Sequence, residues 1–484
     1  MAGAQQLTPL PMAPSAVLAM RGNAVTAEPR MAERQAAAFS GQTQASYGSV
    51  GIAQATAGPL ALSLDDAIGR GVQNNLQVLL AAETEHSVKG EILAAEYALL
   101  PNLKATAYTN AQEIDLAALG FKPSSLAAFG LPAGSFHEIV KVDTTEAQLS
   151  ADQVLFNLPD FYLFAAARKG TRVAGLNTLN TRGAVVQAVG TEYLATLADE
   201  AQIANAQALE QADEEVLRQA TLSHDAGVGT NLDVLRARVE LQTEQQAVVN
   251  NENTFAKDKV ALNRLIGLPA DQELTLTDAV PFAEFAEMPL EQVKELAYTR
   301  RKDLLALESQ VEVAERARKA VKYERVPQIS FNGYYGALGE THGLYHGVFT
   351  AQGTLKIPIF EEGRFRGERE TAEAQMIALR QEVDALKVTI DAQIRASRLD
   401  VESAEELVKV ARSNVELATQ ELQDTRDRFA AGVDDNLPVV QAQATLADAQ
   451  SRLVGTEFEY NEAKLALARN TGVVESQYKS YLGR

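Results

Sequence analysis

The chain has 484 residues, 46% of them hydrophobic, with aromatics at 6% and no Trp. Long stretches dominated by Ala, Leu, Val, Gln and Glu point to extended helices and not to a string of compact mixed domains. Sixty-four acidic residues against 44 basic ones give a formal net charge of -20, which excludes a surface that tracks a phosphate backbone and removes nucleic acid as a partner. The absence of cysteine excludes disulfides, thiolate metal ligands, cysteine nucleophiles and a lipid-modified N-terminal cysteine.

Residues 1–58 are rich in Ala, Gln, Ser, Thr and Pro and read as a disordered or targeting segment. The apolar patch at Val17, Leu18 and Met20 has no basic residue before it, a poor secretory signal, while Ala53, Ala55 and Ala57 offer the A-x-A spacing that a signal peptidase cleaves. From Leu64 the pattern turns helical: Leu64, Ala67, Ile68, Val72, Leu76, Leu79 and Leu80 share one face, Ser63 caps the start and Pro101 stops the helix. No run of about 18 apolar residues follows anywhere, so a membrane span must use strands.

After Pro101 the period switches to alternation, with Leu103, Ala105 and Ala107 against Lys104, Thr106 and Tyr108. A second alternating stretch sets Thr145, Ala147, Leu149 and Ala151 against Glu146, Gln148, Ser150 and Asp152. The connection between them, from Ala111 to His137, holds Gly120, Pro123, Gly130, Pro132 and Gly134 and reads as a surface loop. The same order returns after a helix from Leu290 to Pro327: Ile329 and Phe331 begin one strand, and Phe349, Ala351, Leu355, Ile357 and Ile359 mark another after a shorter loop from Ala337 to His346. Two hairpins with one apolar and one polar face are expected, of a length that suits a tilted bilayer span. Four strands cannot enclose a pore, so a barrel reading requires several subunits.

Each second strand leads into a helix of some 65 residues, from about Phe161 to His224 and from about Gly363 to Phe429. In the later one, small or apolar residues recur in alternating steps of four and three from Ala372 to Phe429, with consecutive fours around Ile390. That pattern is a narrow coiled-coil seam with a stutter. Both helices end at Ala-Gly-Val and turn at Gly227 or Gly432 into a shorter helix, making two coiled-coil hairpins.

The halves are therefore copies. Gly227 falls on Gly432, Leu232 on Leu437 and Gly267 on Gly472 at an offset of 205, while Pro101 and Pro327 differ by 226 because the first loop is longer. The reading in segments is a first repeat at 59–268, a linker at 269–289, a second repeat at 290–474 and a tail at 475–484.

Chemistry-bearing motifs are sparse. His342 and His346 in HGLYH sit in a glycine-rich hairpin loop, where four-residue spacing does not align two ligands as it does on a helix, and Glu83 with His86 is a lone E-x-x-H. GYYGALGETHG fits neither a phosphate loop nor a dinucleotide turn, and no G-x-S-x-G occurs, so the chain reads as a non-enzyme with no cofactor or metal site. The turn glycines carry more. Gly-Val followed by a polar pair and Leu recurs in both copies, which favours exposed tips that touch a partner; the acidic Asp225, Asp233, Asp434 and Asp435 beside them are either solvated caps or, converging on an axis, a cation-attracting ring.

The order of helix, proline-led strand, loop, strand, long helix, Ala-Gly-Val turn and shorter helix, repeated once, resembles the TolC family of bacterial outer-membrane efflux proteins. The resemblance rests on LSLDDAIGRGVQNNL, LLPNLKATAY, AGVGTNLDVLRARVEL, NRLIGLP, RVPQISFNGYYG, LKIPIFEEGR and AGVDDNLPVVQAQATLADAQ, and runs from Leu64 to Val474. It implies a mainly α fold with a membrane β-barrel portion: a homotrimer whose four strands per subunit make a twelve-stranded barrel in the outer membrane, above an α-barrel of long helical hairpins in the periplasm. It also implies a passive duct that meets a periplasmic adaptor and an inner-membrane transporter in a tripartite efflux or type I secretion system. On that analogy Gly227, Val228, Gly229, Gly432 and Val433 dock the adaptor. Well-known members constrict the periplasmic entrance with aspartates at places that hold Pro438 and Gln441 here, so Asp233, Asp434 and Asp435, with Gln441, are the candidate gate. The competing reading is a soluble or periplasmic coiled-coil scaffold or adaptor without a pore; an adaptor would surround one hairpin with compact β-rich domains, whereas this chain has two hairpins and two one-sided strand pairs.

Overall fold

The computed structural model describes residues 48–49, 58–118, 139–278, 283–285, 288–431, 433–434 and 437–483. The expectations for Val17 to Ala57, for the loop from Gly120 to His137 and for Gly432 and Asp435 lie outside the described residues. Two compact units divide the chain.

One unit comprises residues 87–118, 139–171 and 310–379 of the described chain. At its centre is a four-stranded antiparallel sheet in the order β2 (Asn102–Asp115), β3 (Ile139–Phe156), β5 (Gln328–Glu340) and β6 (Tyr345–Lys356). Because side chains alternate along a strand, its register gathers two unlike faces. Leu103, Ala105 and Ala107 stand opposite Ala151, Leu149 and Ala147. Those in turn face Gly333, Tyr335 and Ala337, which meet Ala351, Phe349 and Gly347. The other face holds Lys104 opposite Ser150, Thr106 opposite Gln148, Asp152 opposite Asn332 and Asn332 opposite Gln352. There Tyr108 donates its hydroxyl proton to the Glu146 carboxylate across the ladder. The strands outrun the expected loops. The second hairpin closes in the four residues 341–344, with His342 at φ 68° and His346 already in β6 opposite Leu338.

Helical segments flank this sheet. The first turns of α3 (Leu158–Asp225) meet the end of α6 (Lys302–Lys322), where the Tyr162 ring stacks on Tyr323 at 5.2 Å and Lys169 pairs with Glu312 at 2.8 Å. The start of α7 (Glu362–Ala430) is tied to the same turns through Arg318 and Glu373 at 3.5 Å and Arg364 and Glu324 at 2.9 Å.

The other unit takes the remaining described residues. Here a helix was expected to run unbroken from Leu64 to Pro101, and it does not. Helix α1 (Leu64–Asn74) ends at Asn75, which adopts extended backbone at φ -67° and ψ 130°, and α2 (Leu76–Tyr97) begins anew. The cause is local: the Asn75 side chain accepts a bond from the Gln77 N–H at 2.9 Å, the competing turn that short amides offer the backbone. The break rotates the later residues off the buried face, so Leu64, Ala67 and Ile68 are buried while Leu79 and Leu80 are exposed. The later helix breaks at the corresponding place. Arg301, at φ -64° and ψ 121°, separates α5 (Leu290–Arg300) from α6. Its guanidinium grips Asp303 in two bonds of 3.1 and 2.6 Å and reaches Gln393 at 2.6 Å.

Ser63 accepts from Asp66 N–H at α1, as its capping chemistry requires. Helix α4 (Asn231–Ile266) ends at Gly267 with φ 82°, and α8 (Leu437–Asn470) passes through Gly472 at φ 75° into α9 (Val474–Tyr481). The seam read in α7 is the buried one: Met376, Leu379, Val383, Ile390, Ile394, Ser397, Val401, Ala404, Val408, Ala411, Ala418 and Leu422 are all buried. Between the helical parts, β4 (Leu274–Leu276) pairs in parallel with β1 (Leu60–Leu62). Residues 283–285 are held on α8, where Tyr460 accepts from Phe285 N–H at 2.9 Å and buried Lys464 donates to the Ala283 carbonyl at 3.2 Å.

Two glycines with left-handed backbone separate strain from crowding. A Cβ at Gly472 would lie 2.6 Å from Arg301 N, whereas one at Gly227, φ 77°, meets nothing within 4 Å. Gly227→Ala is expected to cost about 1–2 kcal/mol for the left-handed residue alone, and Gly472→Ala about 1–3 kcal/mol more for overpacking. Urea midpoints check this, and equal losses for the two variants would contradict it.

Candidate functional site

The two hairpin tips are built alike. At the first, α3 ends at Asp225, the Val228 and Gly229 N–H groups both donate to Ser223 O at 3.0 and 2.9 Å, and Gly227 supplies the left-handed turn. At the second, Val433 N–H donates to Arg428 O at 3.0 Å. The Val228 and Val433 bonds are six-to-one closures of the kind that satisfy the last carbonyls of a helix. Both push an apolar pair into solvent. Val228 is 83% exposed and Val433 66%, and Leu232 and Leu437 are exposed beside them.

The acidic candidates divide by what they touch. Asp233 closes a capping box at the start of α4: Thr230 Oγ1 and the Thr230 N–H donate to Asp233 Oδ2 at 2.6 and 3.1 Å, and the Asp233 N–H donates back to Thr230 Oγ1 at 3.3 Å. Its carboxylate is thus committed to the helix N-terminus. Asp434 accepts from Arg428 Nε at 2.6 Å in an exposed pair. With Glu421, Asp424 and Pro438 they line an open groove of about 520 Å³ at the second tip. Gln441 is exposed in the first turns of α8. The described aspartates Asp233 and Asp434 thus engage different partners, Thr230 and Arg428.

Behind the tips lies a core of Val216, Ala220, Val234, Ala237, Ala418, Leu422, Val439, Ala442 and Leu446. Next to it stand polar groups that sequence reasoning missed. Asp213 is 3% exposed. Burial raises its pKa, the Glu240 and Glu244 carboxylates push further and Arg426 opposes, leaving it at about 7. Higher in the same hairpin Asp199 is also raised to about 7, by burial and then by a hydrogen bond and charge shared with Asp258. Gln443 is buried with neither amide atom hydrogen-bonded. A signal for Asp213 did exist: Ala206, Leu209, Asp213, Val216 and Ala220 step by three and four along α3, so an acid occupies a seam position. The residue at the offset of 205 is Ala418.

Comparison with known proteins gives one consistent picture. The family described as outer membrane efflux protein matches residues 67–268 and 293–473. The pyoverdine export outer membrane protein OpmQ of Pseudomonas putida is 24% identical over 293 residues, covering 59% of this chain and 61% of that protein. The alkaline protease secretion protein AprF of Pseudomonas aeruginosa is 24% identical over 359 residues, 71% and 72% of the two chains. The CmeC outer membrane channel of Campylobacter jejuni shares the fold with a TM-score of 0.70 at 13% identity, over 85% of this chain and 86% of that one.

Asp213 gives the first hairpin a pH dependence of definite sign. Its folded pKa stands above the unfolded value, so the folded state binds the proton more tightly. The contribution is complete below about pH 4 and is lost as pH rises through about 7. Burial raises Glu240 and Glu244 in the same direction. Amide exchange in α3 and α4 should therefore be slower at about pH 5 than expected from its rate at about pH 8 after correction for intrinsic exchange, and Asp213→Asn should reduce the difference. A pH profile unchanged in that variant would contradict the assignment.

Proposed function

Because this chain belongs to the outer membrane efflux protein family, we propose that it is the outer-membrane exit duct of a tripartite efflux or type I secretion system. Three copies contribute four strands each to a twelve-stranded barrel, and the hairpins of two duplicated halves make the periplasmic tunnel. The protein catalyses nothing; energy comes from the inner-membrane transporter, and the adaptor meets the tips at Gly227, Val228, Gly229, Gly432 and Val433. Segments 59–268 and 290–474 are the two repeats, joined through 269–289. The exported cargo of OpmQ and AprF relatives differs, and this chain's own cargo is a small molecule or polypeptide delivered by its partner.

One observation carries the reading. The sheet shows an apolar face with Leu103, Leu149, Tyr335, Phe349 and Leu355 exposed to its surroundings, while β2 and β6 stand as open edges. A soluble protein avoids both features. In a bilayer the face meets lipid and the edges pair with other copies, since a strand in hydrocarbon must be hydrogen-bonded on both sides. The polar face then lines water. Twelve paired rows between β5 and β6 span about 40 Å along the strand, which tilted by about 45° rises close to the ~25 Å apolar band of such barrels. Among the described residues no helix is long and apolar enough to cross a membrane.

Detergent-purified protein added to a planar bilayer should give discrete conductance steps and should sediment as a trimer. A monomer without conductance would favour the scaffold reading. If Asp233, Asp434 and Asp435 form the entrance ring, block by multivalent cations disappears in the triple Asn variant; block that persists removes these residues as the gate.

A further inference from the structure

The chain leaves its sheet for a long helix twice, and both junctions carry the same chemistry. Strand β3 ends in Leu155 and Phe156 just before α3 begins at Leu158. Strand β6 ends at Lys356, and Ile357, Pro358, Ile359 and Phe360 follow before α7 begins at Glu362. Ile359 and Phe360 are 92% and 96% exposed, the two most exposed large apolar side chains among the described residues. In both copies an aliphatic residue and a Phe are followed at once by a polar residue, Asn157 or Glu361. Beyond Phe360 the charges form a belt: Glu361 pairs with Arg364 at 2.5 Å and Glu362 with Arg325 at 2.6 Å. Hydrophobic exposure therefore stops sharply at residue 360.

The first junction shows how much a neighbouring strand can cover. There β5 already lies beside β3, with Phe156 opposite Ile329, yet Leu155 and Phe156 remain 59% and 39% exposed. A second copy placed against β6 would accordingly leave much of Ile359 and Phe360 uncovered. What they continue is the apolar face of the sheet, because Ile329 stands opposite Leu355 on the face of Tyr335 and Phe349. Aromatic and aliphatic side chains bordered by charge fit the boundary between acyl chains and headgroups.

We propose that Leu155 with Phe156, and Ile359 with Phe360, are interfacial anchors that seat the protein in the periplasmic leaflet and place the membrane boundary between residues 360 and 361. These junctions set the depth of insertion. The inference rests on the barrel reading above, and the test separates the two.

Since the chain contains no Trp, each of four variants, F360W, F156W, F349W and V228W, carries a single Trp that is excited selectively over tyrosine at the red edge of its absorption. They are reconstituted into phosphatidylethanolamine and phosphatidylglycerol vesicles doped with phosphatidylcholine brominated either near the glycerol or midway along the acyl chain. F349W should lose most emission to the mid-chain bromine, F360W and F156W most to the bromine near the glycerol, and V228W none to either. Quenching of F349W without quenching of F360W and F156W would overturn the anchors and leave the barrel standing. Absence of quenching in all four would overturn the barrel and the anchors together. Trp at Phe360 replaces an almost fully exposed side chain, so crowding does not confound it, and F156W repeats the measurement at a paired site.

Discussion

Everything in this protein turns on backbone hydrogen bonds that have no water to fall back on. A strand in hydrocarbon must pair along both edges, because each orphaned N–H or C=O there costs several kcal/mol. Four strands in the order β2, β3, β5 and β6 satisfy three internal ladders and leave two outer edges open. Only closure removes them, and four strands are too few to close around anything but themselves. We propose that symmetry supplies the closure, with the outer edge of β6 meeting β2 of the next copy. Trimerisation on this account is a requirement of the sheet before it is a property of the helices.

The helices obey a different constraint. Their apolar residues form a narrow stripe, buried in α7 from Met376 to Leu422, and that stripe binds a helix to neighbours without a thick core. Such packing fixes the tips only through short turns. Gly227 and the closures to Ser223 and Arg428 hold Val228 and Val433 outward with few side-chain contacts. Just behind them sit the buried Asp213 and Gln443, the latter with neither amide atom hydrogen-bonded.

Much of this was legible in the sequence, and the reasons are physical. Alternation revealed four strands because one face must be apolar, and the four-three stepping of α7 revealed its seam residue by residue. The turns announced themselves through Gly227, Gly267 and Gly472, all left-handed in the structure. The family followed from the order of those elements. What stayed hidden was set by interactions that leave no periodic trace. The helix break at Asn75 comes from one side-chain amide bonding to Gln77 N–H, and Leu79 and Leu80 were misplaced on the buried face in consequence. Asp233 is one of four acids that the sequence leaves as either caps or a ring, and in the structure it closes the capping box with Thr230. The acid at Asp213 interrupts the three-four stepping of α3, and only packing shows that the position is buried.

The central claim is that the sheet closes between copies, and cysteine cross-linking tests it most directly in a chain that has none of its own. Leu149 of β3 stands opposite Tyr335 of β5; matching Phe156 with Phe360 and Pro101 with Pro327 carries those positions to Gly353 of β6 and Thr109 of β2. Within one chain β2 and β6 are separated by two strands, about 14 Å at ~4.8 Å per step, beyond a linker that bridges adjacent strands. A G353C and T109C double variant treated with such a short linker should give covalent dimers and trimers and nothing larger. A ladder that continues past the trimer, or no product between chains in protein that conducts, would contradict the account.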